Sequence, residues 1–386
     1  MQRILGIGLK APYYIPYPYS LIPYFLIFAL VKKHKVIGLM SGTSLDGLDI
    51  ACCEFTLRGS GWHYRILAAE TIAYDKQTRK RLSGLDKAGA LELTQSHAWF
   101  GHFSGAETRK FIRRHKLNPR LVVSHGHTVF HQPRQGFTLQ IGNGAALAAE
   151  AGLPVVCDLR SLDVALGGQG APLVPIGDRL LFSGYDACLN LGGFANISYE
   201  QRGRRIAFDI CPVNLVLNFL SAKRGRPFDR DGALAAKGSV DLDLLRKLEA
   251  LPFYSQRPPK SLGKEWVDQA IMPLLDRSSS SIEDQLRTFS EHIALRIAAA
   301  IDSRFGRPAR VLATGGGVYN GLLIALAREK CKAALVIPDR LTIEFKEALI
   351  FAFLGLLRWR GEINTLRSVT GARCDSTGGA IYLPGK

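Results

Sequence analysis

The sequence predicts an α/β protein built in two halves, with a ligand held between them. Three observations predict it. At 386 residues the chain is too long for one ordinary domain and fits two. Near the start of each half, in residues 36–55 and again in 187–198, an apolar run meets a glycine turn and a second apolar run. Residues 311–328 read as buried strand, three glycines and helix, a geometry in which helix amides and dipole favour an anion.

Residues 1–35 precede this pattern, with Arg3, Lys10, Lys32, Lys33 and Lys35 and no acid. Their apolar, aromatic stretch is broken by Pro12, Pro16, Pro18 and Pro23. Its longest clean run falls far short of the roughly 20 residues a spanning helix needs. Lys32-Lys33-His34-Lys35 stands where a signal peptide would carry small cleavage-site residues. Residues 1–34 are expected to be an extension outside the fold, with Val31 a candidate start. An intact mass that includes Met1 would refute that start.

The opening turn is SGTSLDGLD, residues 41–49. Gly42 and Gly47 permit φ > 0 and close backbone approach. Thr43 and Ser44 add hydroxyl donors. Such a nest suits phosphate; an ordinary Ser/Gly/Asp hairpin turn is the alternative. It is not a P-loop, because no Lys follows the glycines and a strand follows where a helix should. Asp46 and Asp49 beside it could hold a cation, a water or a sugar hydroxyl.

Residues 62–74 alternate as a further strand, and 78–115 carry apolar residues at helical spacing. A buried strand at 121–124 ends in His125-Gly126-His127-Thr128, and strand ends commonly face a ligand crevice. His125, His127 and His131 invite a metal reading, but no third ligand type accompanies them, so hydrogen-bonding roles are favoured. A helix at 145–151 and a strand at 154–157 lead to DLRSLDVALGGQGAPL, residues 158–173. There two carboxylates and Arg160 precede a Gly-Gly-Gln-Gly turn. Asp158–Arg160 as a surface ion pair and Asp163 as a helix cap are the plainer readings. Residues 205–210 form another strand. An amphipathic helix spans 280–304, and a strongly apolar one runs from residue 343 to 359.

Net charge is +17, scattered with no run of five basic residues, which favours small anionic partners over a nucleic-acid tract. Seven cysteines, an odd count without C-x-x-C, fit reduced thiols in a cytoplasm.

Several segments together resemble the anhydro-N-acetylmuramic acid kinases, part of the actin-like group of two-domain sugar and acetate kinases. They are SGTSLDGLD, the Ser-His-Gly run at 124–126, residues 138–143, the stretch 158–173, the motifs at 187–198 and 228–232, and the triple glycine at 315–317. The resemblance covers about residues 35–373 in at least six blocks. It implies two actin-like (ribonuclease H-like) domains with mixed sheets flanking a central ATP and substrate cleft. Domain I would be 35–145, with 366–386 returning to it, and domain II 146–365.

The implied reaction is ATP-dependent. Water opens the anhydro bridge of the amino sugar, and the freed 6-oxygen takes the γ-phosphoryl group, in peptidoglycan recycling. Asp163 falls on the family's catalytic base and is expected to line the cleft; Glu344 is the rival. ATP contacts would come from Gly42, Thr43, Ser44, Leu45, Asp46, Gly47, Leu48 and Asp49. Further contacts would come from Gly192, Gly193, Gly315, Gly316, Gly317 and Asn320, with Gly316 expected at φ > 0. Sugar contacts would be His125, Gly168, Gln169, Asn196 and Asp209, with Asp46 for Mg²⁺. The chain departs from the family at His127, where a Gln is usual, and at Cys211 and Val213, where glycines are. Partners would be the anhydro amino sugar and ATP, with no nucleic acid and no membrane; a homodimer is left open. A related kinase for another sugar or acid, or a non-catalytic ATP-binding module, are the alternatives.

Overall fold

The computed structural model describes residues 33–42, 44–59, 61–305 and 308–385. The expected start at Val31 lies outside these residues. Lys33 and His34, placed in the extension by sequence, are the first residues of a strand, and His34 is buried.

The first sheet holds β1 (Lys33–Ser41), β2 (Gly47–Arg58), β3 (Gly61–Ala73), β4 (Leu121–Gln132), β5 (Phe137–Ile141) and β6 (Val155–Cys157). β1, β2 and β3 form an antiparallel meander. β4 runs parallel to β1 and to β6, and β5 turns back against β4. Val36, Ile37 and Leu39 of central β1 are buried, as a strand covered on both faces demands. The second sheet holds β7 (Ala187–Leu191), β8 (Phe194–Gln201), β9 (Arg204–Pro212), β10 (Arg310–Thr314) and β11 (Ala334–Val336). Here β7, β8 and β9 are antiparallel, while β10 runs parallel to β7 and β11. Both sheets are mixed. β12 (Ala380–Tyr382) then pairs antiparallel with β6 of the first sheet.

The expected helix over 78–115 divides into Lys76–Ser83 and Ala90–Arg114, with Gly84 and Gly89 in the interval. Asn143 caps Gly144–Ala151, and Ser281 caps Ile282–Asp302, through side-chain oxygens that accept backbone N–H bonds.

The helix Arg340–Trp359 fixes the relation between the sheets. It packs on β1, β2 and β4, although sequence assigned its span to the second domain. Glycine permits the close approach: a Cβ on Gly38 would lie 1.9 Å from the Ala348 carbonyl oxygen, and one on Gly355 2.1 Å from Val123. Its apolar face shares one core with Val36, Phe55 and Val123 of the first sheet and Cys188 and Leu312 of the second. Val155–Cys157, likewise beyond residue 145, belongs to the first sheet.

A buried charged group sits where the helix meets the second sheet. Lys346 Nζ lies 2.9 Å from Asp178 Oδ1, an ion pair without hydrogen-bond alignment. Asp178 Oδ2 accepts from the Ser198 hydroxyl at 2.5 Å, and Arg205 Nη2 stands 4.0 Å from it. Arg205 also donates to Ser198 Oγ at 2.8 Å.

Candidate active site

The opening turn is tight. Leu45 N donates to the Gly42 carbonyl at 3.3 Å, and Tyr74 N to the Asp46 carbonyl at 3.2 Å. The left-handed residue is Leu45, at φ 59°, and neither Gly42 nor Gly47 adopts positive φ. Gly47 is required instead by proximity, since a Cβ there would meet the Ile72 carbonyl oxygen at 2.5 Å. Ser44 and Asp46 are exposed, and Leu48 is buried in β2. Thr43 lies outside the described residues. Asp49 Oδ1 accepts from the Thr71 hydroxyl at 2.6 Å. Burial raises the Asp49 pKa; the Thr71 hydrogen bond opposes this, and the charges of Asp46 and Glu344 add to it.

Below this turn, Tyr74 donates to Ser41 Oγ at 2.8 Å, and Ser41 bonds to His127 Nδ1 at 3.0 Å. The Ser41 oxygen accepts from Tyr74, and the His127 tautomer sets the direction of the second bond. Burial lowers the His127 pKa. The three histidines turn to separate partners. His127 faces Ser41, while His131 Nδ1 pairs with Thr138. Among the described residues no three His, Cys, Asp or Glu side chains stand close enough to hold a metal ion.

His125 turns the other way. Its Nδ1 bonds to the Gly126 carbonyl, so that nitrogen carries the proton, and Nε2 accepts from Arg160 Nε at 2.9 Å. Burial, with Arg160 beside it, pushes its pKa down to about 3, so His125 stays neutral. Arg160 also donates to the Gly170 carbonyl at 2.6 Å. It forms no surface ion pair with Asp158, whose Oδ1 accepts from Ser161. Burial lowers the Arg160 pKa to about 10, with Glu347 and Asp163 opposing, so the guanidinium remains charged at neutral pH.

Asp163 is fully buried, at 0% exposure. Oδ2 accepts from Gly170 N at 2.7 Å and Oδ1 from the Thr370 hydroxyl at 2.7 Å. The expectation that it lines an open cleft is therefore not met in this conformation. Gly168 is the reason: it seats so closely that a Cβ would lie 2.2 Å from Oδ2, and the Gly-Gly-Gln-Gly loop covers the carboxylate. Gln169 is exposed, with its N–H donated to the Thr370 carbonyl.

Glu347 was missed by sequence. It keeps open surface while protein crowds its carboxyl. Burial raises its pKa; Arg160 opposes and Asp49 adds. Glu344, one turn earlier, accepts from Arg340 Nε at 2.7 Å and from Tyr319 at 3.2 Å. Its bond to Tyr319 joins the helix to the triple-glycine turn, and its charge is felt by Asp49.

On the second sheet the glycines divide by role. Gly315 lies at φ 86°, ψ 161°, a region only glycine occupies comfortably, and a Cβ would meet Asn190 Oδ1 at 2.6 Å. Gly317 is pressed against Leu191. Gly316, expected at φ > 0, is not, and a Cβ there would come no nearer than 3.7 Å to Asn214. Gly315→Ala should therefore cost about 1–3 kcal/mol, read from the denaturant midpoint, and Gly316→Ala should not. Equal effects would remove the distinction.

The neighbouring helix Gly321–Lys330 does not offer its N-terminus freely. Asn320 Oδ1 caps it at Leu323 N, and Asp231 Oδ1 accepts from Gly321 N. Asn320 is thus a cap with little exposed surface, and an aspartate occupies the anion position. The Gly192 and Gly193 carbonyls accept from the amides of Val213, Asn214 and Leu215, which closes the second hairpin turn. Asn196 of β8 stands opposite Asp209 of β9. Asp209 Oδ2 accepts from Leu262 N at 2.8 Å, docking the loop at 260–262 onto the strand, and burial raises its pKa.

A family model described as anhydro-N-acetylmuramic acid kinase matches residues 34–384. A relative of that name from Methylobacterium nodulans is 36% identical over 380 residues, covering 91% of this chain and 100% of the relative. One from Pseudomonas putida is 36% identical over 366 residues, covering 90% and 98%. One from Gloeobacter violaceus is 37% identical over 362 residues, covering 87% and 95%. The chain belongs to the anhydro-N-acetylmuramic acid kinase family. The three positions where the sequence reading expected departures from the family pattern are buried. His127 keeps a hydrogen bond to Ser41, and Cys211 and Val213 are fully buried, with Val213 N still reaching the Gly193 carbonyl.

Proposed function

We infer that the protein is an ATP-dependent kinase that hydrolytically opens 1,6-anhydro-N-acetylmuramic acid and phosphorylates it at the 6-oxygen. The observation that carries this reading is the family match across residues 34–384. In the reaction a water oxygen bonds to the anomeric carbon and the bond from that carbon to the bridging 6-oxygen breaks. The 6-oxygen takes the γ-phosphoryl group, ADP leaves, and the water's proton goes to a base.

Asp163 is our candidate for the base. Rearrangement of the 168–170 loop would take the Gly170 N–H away and open that carboxylate oxygen to water, while the Thr370 hydroxyl still holds the other. Glu347, whose carboxyl feels the charge of Arg160, is our candidate to orient that water or the sugar. The amides of the opening turn and of the triple-glycine turn are candidates for the phosphates.

Magnesium ion would neutralise phosphate charge. The raised pKa values of Asp49 and Glu347 fit a nearby cation, because both sites hold negative charge poorly without one. With no three-ligand cluster among the described residues, these acids and Asp46 suit an ion held mainly by phosphates and water. A cytoplasmic setting is supported by seven free cysteines, six of them buried. No described helix is long and apolar enough to cross a membrane. Sedimentation would decide between monomer and homodimer.

Incubation with the anhydro sugar, ATP and Mg²⁺ tests the reading. The product should be heavier than the substrate by one water and one phosphoryl unit, with isotope from labelled water in the anomeric hydroxyl. ADP formed only with another sugar or acid would make this a related kinase. No ADP with any acceptor, together with salt-sensitive retention on nucleic acid, would make it a binding module.

Glu347→Gln offers a second check. A carboxyl whose folded pKa exceeds the ordinary 4.5 stabilises the fold below that ordinary value and loses this contribution as pH rises through the folded pKa. A rise in pH from acid towards neutral therefore costs the fold stability through Glu347. The Gln variant should melt higher than the parent at pH 7, the gain should shrink on acidification, and activity should fall. A lower melting temperature at pH 7 would reject this account.

A further inference from the structure

A cavity of about 620 Å³ lies where the C-terminal segment meets the start of β9. Three arginines line it, each from a different part of the chain. Arg179 comes from the helix Val174–Leu181, Arg204 is the first residue of β9, and Arg367 opens the turn Arg367–Thr370. The one acid in the lining, Asp375, accepts from Arg367 N at 2.8 Å. Arg179 has a loose partner in Glu200 at 3.6 Å, and Arg367 Nη1 reaches the Arg373 carbonyl at 3.5 Å. Among the described residues Arg204 makes no ion pair. None of these arginines belongs to the glycine turns or to the Asp163 group.

We propose that this cavity is a second anion site that takes a small phosphorylated molecule. Three arginines lining one concavity focus positive potential, and their planar forks match phosphate oxygens. A monocarboxylate needs only one such fork, whereas a phosphate dianion uses several. The volume exceeds that of inorganic phosphate and leaves room for a sugar-sized body.

The site is also wired to Asp163. Gly371, in the lining, follows Thr370, whose hydroxyl donates to Asp163 Oδ1 and whose carbonyl accepts from Gln169 N. An occupant that shifts residues 367–371 shifts the hydrogen bond holding Asp163, so occupancy should change turnover.

The test is calorimetric titration of the full chain with inorganic phosphate and with glucose 6-phosphate, while a non-hydrolysable ATP analogue saturates the cleft. Binding at about 1 mM or tighter is expected. It should weaken at least about tenfold in the Arg204→Gln/Arg367→Gln double variant, whose melting temperature and phosphate-free turnover should stay parental. Arg179→Gln, which leaves β9 and the C-terminal segment intact, gives the same reading if the double variant does not fold. Tighter binding of glucose 6-phosphate assigns a sugar phosphate as the ligand, and equal affinity assigns free phosphate. No binding by the parent, undiminished binding by the variants, or acetate binding as tightly as phosphate would each overturn the proposal.

Discussion

Asp163→Asn should lower turnover by about 10²–10⁴-fold while leaving the melting temperature near the parental value. The variant can keep both native contacts. Its amide oxygen can accept from Gly170 N, and its NH₂ can donate to Thr370 Oγ1. The Thr370 hydroxyl proton would then turn to the Leu366 carbonyl, already 3.4 Å away. What Asn cannot do is accept a proton from water. Asp163→Ala should behave differently. It leaves the buried Gly170 N–H without its acceptor, at a cost of about 1–3 kcal/mol, and should lower both stability and activity. The loss in the Asn variant should appear in the chemical step rather than in sugar affinity. Near-parental turnover with Asn, set against abolition by Glu344→Gln or Glu347→Gln, would move the base to the helix.

Lys346→Ala should destabilise the protein by about 3–5 kcal/mol, the largest stability effect expected of any single change here. Lys346 is 6% exposed, and its loss would strip Asp178 of its 2.9 Å partner inside the core. Arg205, at 4.0 Å, and the Ser198 hydroxyl would remain, too little to replace the ammonium. The pair also sets a pH window. Burial alone would lower the Lys346 pKa, but Asp178 and Cys188 outweigh it and the value is raised above 10.5. A lysine raised in this way contributes its stability below its ordinary value and loses it as pH rises through the folded value. The parent should therefore lose stability above pH 10.5 more steeply than Lys346→Ala. Chemical denaturation at neutral and alkaline pH reads both effects, and a variant within 1 kcal/mol of the parent at pH 7 would contradict the packing argument.

Local pattern carried much of this protein. The apolar run in β1, the turn residues 41–49 and the strand, triple glycine and helix at 311–328 were legible because periodicity and glycine placement are properties of neighbours in the chain. Motif order named the family and marked Asp163. Tertiary structure decided what depends on residues far apart in sequence. Thr370, 207 positions from Asp163, holds its carboxylate, and Gly168 covers it. Glu347 came within reach of the charges of Arg160 and Asp49 only when the helix Arg340–Trp359 was laid on the first sheet, a packing that needed Gly38 and Gly355 bare. Whether a glycine serves positive φ or close approach was equally hidden. Gly315 and Gly316 are identical in the chain and differ only in what lies opposite them. Asp231 at the helix beginning at Gly321 makes the same point, because a helix N-terminus favours any anion and sequence cannot say which one reaches it first.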